Sequence, residues 1–468
     1  SLMYLPQNDS YFIHHKKMIM AKMEMDIINP HCAGIDIGSR SHFVAIGQDE
    51  TDVQEFGVYA EDLESICTHL KQHSITHVAM ESTGCYWQNL YVELSKNGFD
   101  VTLCNGKFTK NIKGKKTDVK DARWIQKLHS IGLLSGSFLP DETTETLRTY
   151  CRQRTNWVQQ AVEATHKMQK YLKLLNFRLD IVVKDVCGLT GLKIIEDICK
   201  GNHNPQELAK HRHHNCRKSE QEIAKALRGN NRKDFLFGLK QEFESYQFFQ
   251  KKMDECDKQI KQFLQQQINT DPSKKKLSTT VKTHKRINKN AVKGIDLNQA
   301  AYQYFGGVDL MAIEGLSHAT ILSIMSEIGS EGFTKFATAK QFTSWLRLAP
   351  NNKISGGKIL SNKVPKGSNR LKIALRNAAN AIGNLKDTHL SDFFKRVLYR
   401  RGRTAAISAT ARKLAVILWT MIVKKIPYQP PTQYLFLDEK RKLKIVKQIR
   451  KTIAKFDIST NDLQIVTT

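Results

Sequence analysis

Between His31 and Asn105 the apolar spacing switches back and forth between period two and helical period, and the order of those switches narrows the folds open to this chain. CAGIDIG and HFVAIG are short apolar runs separated by SRS, and VQEFGVY is a third β-rich segment, so the region begins as a three-strand meander. Residues 60 to 73 then carry Leu63, Ile66, Cys67 and Leu70 at helical spacing. HVAMES reads as a buried strand, 86 to 97 as a helix stopped by Gly98, and DVTLCN as another strand. A further helix is predicted from about Thr117.

Three strands, helix, strand, helix, strand and helix is the order of an RNase H-like domain, a mixed sheet with helices on its faces. Asp36 falls in the middle of the first strand, where an isolated carboxylate among apolar neighbours is costly unless something neutralises it. Glu81 closes HVAMES in the same way, and in such a sheet the two strands are neighbours. In KTDVKDARWI, Thr117 is a predicted N-cap, which puts Asp118 in the first turn and Asp121 one turn on, on one face. Taken alone, this acid pair is what a helix dipole favours. Four acids on the edges of one sheet ask for more. Hard oxygen donors suit Mg²⁺ or Mn²⁺, and a pair of such ions can serve both the attacking and the leaving oxygen in phosphodiester transfer.

The rest of the chain points to a polyanion as partner. Its 468 residues hold 73 Lys and Arg against 45 Asp and Glu, a formal charge of +28, which nucleic acid explains best. No run of 18 apolar residues is present to span a bilayer, and nine cysteines without a CxxC pair read as reduced thiols, so the expected setting is the cytosol without a membrane partner. Residues 1–30 are Met-rich and irregular and are set aside as an N-terminal extension; 31–140 form the sheet domain. After Pro140 the Gln-, Glu- and Lys-rich composition predicts long helices over 141–270, with 143–178 and 234–268 able to pair as an antiparallel coiled coil within one chain or between protomers. Residues 271–299 read as a basic linker, solvated or laid on phosphates; 272 to 295 contain eight Lys or Arg and no acid. A second helical domain is expected over 300–430, entered through LMAIEGLSHATILSIMSEIG, either a helix-hairpin-helix or two helices packed about a glycine turn. Residues 431–468 are a basic tail with an amphipathic helix at about 438 to 455.

Between Glu331 and Asp387 there is no acid, while eleven Lys or Arg occur. In the middle lies APNNKISGGKILSNKVPKGSNR, read as a loop from its Gly, Asn, Ser and Pro content. Ser355 precedes Gly356 and Gly357, which would let the backbone approach a phosphate; by spacing alone Ser361 and Ser368 are equal rivals. Lys353, Lys358, Lys363, Lys366 and Arg370 are the expected nucleic-acid contacts.

GIDIGSRSH, VAMESTGCYWQNL, KTDVKDARWI, IEGLSHATILSIMSEIG and WLRLAPNNKISGGK followed by KGSNRLKIALRNAA occur in that order, and over about residues 31 to 425 the chain resembles transposases of the insertion sequence 110 family, 110/1111 type. The resemblance implies a RuvC-like DEDD domain, a coiled-coil segment and a C-terminal transposase domain. It implies that Asp36, Glu81, Asp118 and Asp121 are the metal-binding tetrad and Ser355 the nucleophile of a transient phosphoserine link. It further implies donor and target DNA, a structured bridge RNA and a homo-oligomer, dimer or tetramer, as partners in a bacterial or archaeal cytosol. The competing expectation is a RuvC-like endonuclease in which water attacks. Arg40, CNGK and Ile354 depart from the family's usual residues at their positions.

Overall fold

The computed structural model describes residues 26–106, 117–275, 288–367, 369–430 and 435–458. Two compact units divide at Leu139/Pro140.

The first unit is a five-stranded sheet: β1 (Cys32–Ile37), β2 (His42–Ala45), β3 (Val53–Phe56), β4 (His77–Glu81) and β5 (Asp100–Cys104), in the order β3-β2-β1-β4-β5. β1, β2 and β3 pair antiparallel, whereas β1, β4 and β5 run parallel, so the sheet is mixed as the element order predicts. The parallel pairs need helical crossovers, supplied by α1 (Ala60–Gln72) and α2 (Trp87–Lys96). Ala33, Ile35 and Ile37 of β1 and Val78 and Met80 of β4 form one core with Leu63, Ile66 and Leu70 of α1 and Leu90 and Leu94 of α2. The alternate residues of the strands face α3 (Asp118–Ser130), which packs across β1, β2 and β4. Just ahead of β1, the amides of Ile28 and Asn29 both donate to the Ser130 carbonyl at the end of α3.

The second unit opens with α4 (Glu142–Leu174), which lies antiparallel to α9 (Lys233–Asn269) in the same chain. Tyr150 meets Phe263, Trp157 stacks on Phe249, and Lys167 pairs with Glu242 at 3.5 Å, which fixes the direction. The stretch between them is not one more long helix. Asn204 before Pro205 and Ser219 with Glu222 start new helices, giving α5 (Leu179–Val182), α6 (Leu189–Cys199), α7 (Pro205–Ala209) and α8 (Glu220–Ala226). These short helices share a core of Phe177, Ile194, Ile195, Leu208 and Leu227 with Met168, Leu172 and Leu239 of the long pair.

The basic segment after α9 departs from a solvated linker. α10 (Pro272–Lys275) continues it, residues 276–287 lie outside the described residues, and 288 to 293 are docked on the long helices. Arg154 donates to the Asn290 and Ala291 carbonyls, Lys293 pairs with Asp254 at 2.8 Å, and Lys289 with Asp185 at 2.6 Å. Asp254 on α9 and Asp185 in the loop ahead of α6 give two lysines of this run partners other than phosphate, and Arg154 of α4 holds its backbone.

Beyond it come α11 (Leu297–Tyr304), α12 (His318–Glu327), α13 (Ala339–Trp345), a two-stranded hairpin of β6 (Lys353–Ser355) and β7 (Lys358–Ser361), α14 (Arg370–Ile382), α15 (His389–Arg401) and α16 (Arg403–Lys424). The element before Gly315 is a single 3-10 turn, Leu310–Ala312, rather than a helix. A Cβ on Gly315 would lie 2.3 Å from Ile382, so this glycine packs against α14. α16 is the one described helix long and apolar enough to cross a bilayer, and half of its apolar window is buried inside the unit against α13, α14 and α15. The last described helix is α17 (Leu435–Phe456).

Candidate active site

Glycine 34 determines where the acidic helix lies. A Cβ there would fall 2.1 Å from the Gln126 amide nitrogen and 2.6 Å from the Ala122 carbonyl oxygen, both backbone atoms of α3. The helix therefore sits directly on β1, and the Gln126 side chain donates to the Cys32 carbonyl at 3.3 Å. At the other strand, the His77 ring lies 6.5 Å from that of His129. Gln126 and His129 thus lie over the starts of β1 and β4 and Ala122 over Gly34, so α3 runs against the strand direction. Its N-terminal turn, with Asp118 and Asp121, points toward the strands' C-terminal ends.

Asp36 and Glu81 occupy those ends. Ile35 pairs with Met80 in the parallel ladder, so the next residues, Asp36 and Glu81, stand abreast on strands about 4.8 Å apart. Because Ile35 and Met80 face the core, Asp36 and Glu81 face α3. Thr117 caps the helix by accepting from the Lys120 amide, and both helix acids follow it within one turn. Asp36, Glu81 and Asp121 are half-buried and Asp118 is exposed. The four share one face and one edge. They do not form a closed ligand set: among the described residues no three His, Cys, Asp or Glu side chains stand close enough to hold a metal ion.

Burial, and after it the Glu81 carboxylate, push the Cys104 thiol up to about 12, so the sulfur beside the acids stays protonated. Burial holds His129 below the usual imidazole range, with His77 adding to the effect and Asp100 opposing it. A Cβ at Gly106 would come 2.2 Å from Glu81 Oε1, so the chain leaving β5 closes over this carboxylate. The lysines ahead of Thr117, Lys113, Lys115 and Lys116, lie outside the described residues.

An alanine at position 34 tests this placement. Gly34→Ala forces α3 off β1 and is expected to lower stability by about 1–3 kcal/mol. It should also impair the acid edge more than Gly136→Ala does, since a Cβ at Gly136 meets only Thr102, at an ordinary 3.9 Å, and its backbone is not left-handed. Equal hydrogen-exchange protection along α3 in wild type and Gly34→Ala would refute the direct seating.

Ser355 belongs to the second unit, and its surroundings differ from the sequence expectation of a loop. Gly356 (φ 55°) and Gly357 (φ 73°) form a two-residue turn, and Ser355 pairs with Lys358 across it. Two consecutive positive φ angles are what a type I′ hairpin turn requires, and glycine meets that requirement without strain. Lys353, Ser355 and Lys358 on the hairpin, and Lys363, Lys366 and Arg370 beyond it, are all exposed; Ser361 is half-buried and Ser368 lies outside the described residues. Among the described residues no side chain bonds the Ser355 hydroxyl.

Two further cations hold the segment after the hairpin. Arg347 donates to the Lys366 carbonyl at 2.8 Å, and the buried Lys372 donates to that of Pro365 at 3.2 Å. Burial, then the nearby Arg376 and Arg347 charges, lower the Lys372 pKa. Both residues fall in the acid-free stretch, but nothing in their spacing distinguishes an inward cation from an exposed one.

A family model described as "Transposase", of the DEDD type, matches residues 33–177. A second, described as "Transposase IS116/IS110/IS902 family", matches residues 309–395. A "Probable family 20 transposase" of Pseudomonas aeruginosa is 29% identical over 126 residues, 26% of this chain and 36% of that protein. The chain therefore spans little more than a third of that relative's length. The first match covers all four acids, the second covers the Ser355 hairpin, and they follow one another in the order of the sequence motifs: the chain belongs to the IS110 family of transposases.

Proposed function

We propose that this protein is a transposase that cleaves and rejoins donor and target DNA, with Asp36, Glu81, Asp118 and Asp121 as the metal-binding tetrad of an RNase H-like, RuvC-like domain and Ser355 as nucleophile. The observation that carries the reading is the register that sets Asp36 and Glu81 abreast under the helix turn bearing Asp118 and Asp121. Four carboxylates offer only hard oxygen donors, the set that suits Mg²⁺ or Mn²⁺, and they would draw together on the ion from one edge. Bound there, such ions would supply activation of an attacking oxygen and stabilisation of a leaving one.

The chain's own residues do the rest. Ser355 Oγ loses its proton as it bonds phosphorus, the bond to the 3′ oxygen breaks, and that oxygen leaves as a hydroxyl. The 5′ phosphate then remains on serine until a 3′ hydroxyl from the other duplex displaces it. Lys353, Lys358, Lys363, Lys366 and Arg370 position the phosphates. The reading requires acids and serine to meet on one phosphate, from one chain or from two copies in a dimer or tetramer. A structured bridge RNA from the same element is the proposed guide, and the cytosol of a bacterium or archaeon the proposed setting.

One observation favours a second reading, the endonuclease in which water attacks: all four acids belong to the first unit and Ser355 to the second, so the acid edge is built without the serine. The two separate on a denaturing gel. With DNA, Mg²⁺ and the RNA that copurifies, the transposase reading gives a covalent protein–DNA species lost in Ser355→Ala and kept in Ser361→Ala. Metal-dependent nicking that is indifferent to Ser355→Ala would establish the endonuclease instead.

A further inference from the structure

The hairpin that presents Ser355 has a second face. Ile354 and Ile359 are directly opposed across the strands, and the next pair is Ser355 with Lys358. Opposed side chains of an antiparallel pair share a face and successive ones alternate, so the two isoleucines stand on one side of the ribbon and the serine and lysine on the other. Ile354 is 62% exposed and Ile359 64%, so this apolar face is held away from the body of the protein. Leu360, 69% exposed, is the extra residue where the register slips, because Lys353 pairs with Ser361; such bulges re-aim side chains.

An uncovered apolar face on a narrow ribbon marks a contact surface, and its charge identifies what it contacts. No acid occurs from Gly332 to Lys386, and Lys353, Lys358 and Lys363 lie on or beside the two strands. A second copy of the hairpin would be repelled by the same lysines. A DNA duplex offers phosphates to the lysines and, between base pairs, an apolar slot that Ile and Leu side chains are known to enter. A two-stranded ribbon also fits a groove of B-DNA.

We propose that the 353–361 hairpin enters duplex DNA as a wedge: Ile354 and Ile359 press into a base step while Ser355 and Lys358, on the opposite face, look toward the backbone. The proposal rests on Ser355 as nucleophile and adds a role for its neighbours, which is to unstack and kink the duplex beside the scissile phosphate so that a strand can leave for exchange.

The test needs no cleavage, so wedge and nucleophile can fail separately. Full-length Ser355→Ala protein is bound to a single tethered duplex of generic sequence, and the stiffness of the duplex is read from its force–extension curve. The wedge lowers the apparent persistence length well below the roughly 50 nm of bare DNA. Adding Ile354→Thr and Ile359→Thr keeps β-branching, so the hairpin still forms. It should leave DNA-bound protein with the stiffness of bare DNA and an unchanged salt slope of binding. Lys358→Ala, in contrast, should reduce that slope by about one. Equal softening by the threonine variant and its parent, or binding by the parent without softening, overturns the wedge. So does softening confined to an RNA duplex. Failure of the Ser355 adduct experiment, with softening intact, would instead remove the nucleophile and leave the wedge.

Discussion

Asp36→Asn and Asp121→Asn each lower DNA strand cleavage by about 10²- to 10³-fold, the rate equivalent of several kcal/mol of lost transition-state stabilisation. The argument is one of sign as well as size. Asp36 faces α3 from the middle of the sheet and Asp121 faces back from the helix, so each substitution removes one negative charge from the same edge. Asparagine keeps shape and can still accept a hydrogen bond, but it is a poor ligand for a hard cation. Without divalent ions, losing a carboxylate relieves repulsion with DNA phosphates, so binding in chelator should tighten or stay the same while cleavage in Mg²⁺ falls. A residue that merely capped a helix would leave cleavage intact, and a residue that held the fold would lower both. Cleavage kinetics and DNA affinity of the two variants, measured with Mg²⁺ and with chelator, check the divergence. Full cleavage by both variants contradicts the acid edge as a reactive site.

The second large effect lies far from that chemistry along the chain. Arg154 of α4 and Asp257 of α9 are 7% and 3% exposed and bonded to each other through Nε and Oδ1, and Nη2 reaches Oδ2 at 3.3 Å. Asp257 also accepts the Lys293 amide at 3.0 Å. Arg154→Ala leaves the carboxylate buried with its counter-charge gone, and breaking such a pair costs about 3–5 kcal/mol. Hydrogen exchange of the amides along α4 and α9 reads the loss locally, where a two-unit protein would blur a global melt. Protection is expected to fall about 10²- to 10⁴-fold in Arg154→Ala. In Arg154→Met with Asp257→Leu most of it should return, since neither charge is then left alone. Unchanged protection in Arg154→Ala would show that water reaches the carboxylate.

The sequence makes the first unit legible because each element there announces itself locally. Short apolar and β-rich runs give β1 to β5, Gly98 ends α2, and Thr117 starts α3, all within a few residues of the signals that predict them. Asp36 and Glu81 stand out for the same reason, as acids in apolar strands. What holds α3 against them was not legible, because Gly34 matters through backbone atoms of Ala122 and Gln126 some ninety residues later. Arg154 and Asp257 illustrate the same limit: on long charged helices a buried ion pair looks like any solvated pair. The short helices α5 to α8 were hidden by composition averaged over a long stretch, whereas the caps at Asn204 and Ser219 mark breaks one residue wide. At Ser355 the signal is present in the sequence but shares its residue types with a loop. Paired glycines between KIS and KILS spell a type I′ turn, and reading them as loop content concealed a ribbon with two unlike faces.

Binding of Mn²⁺ to the full chain, followed by the electron paramagnetic resonance of the free ion, bears most directly on whether the four carboxylates are one metal site. The account predicts saturable binding in the wild type that is weakened in Asp36→Asn and in Asp121→Asn alike and abolished when Asp36, Glu81, Asp118 and Asp121 are all replaced by their amides. An isotherm for the fourfold variant that superimposes on that of the wild type would contradict it.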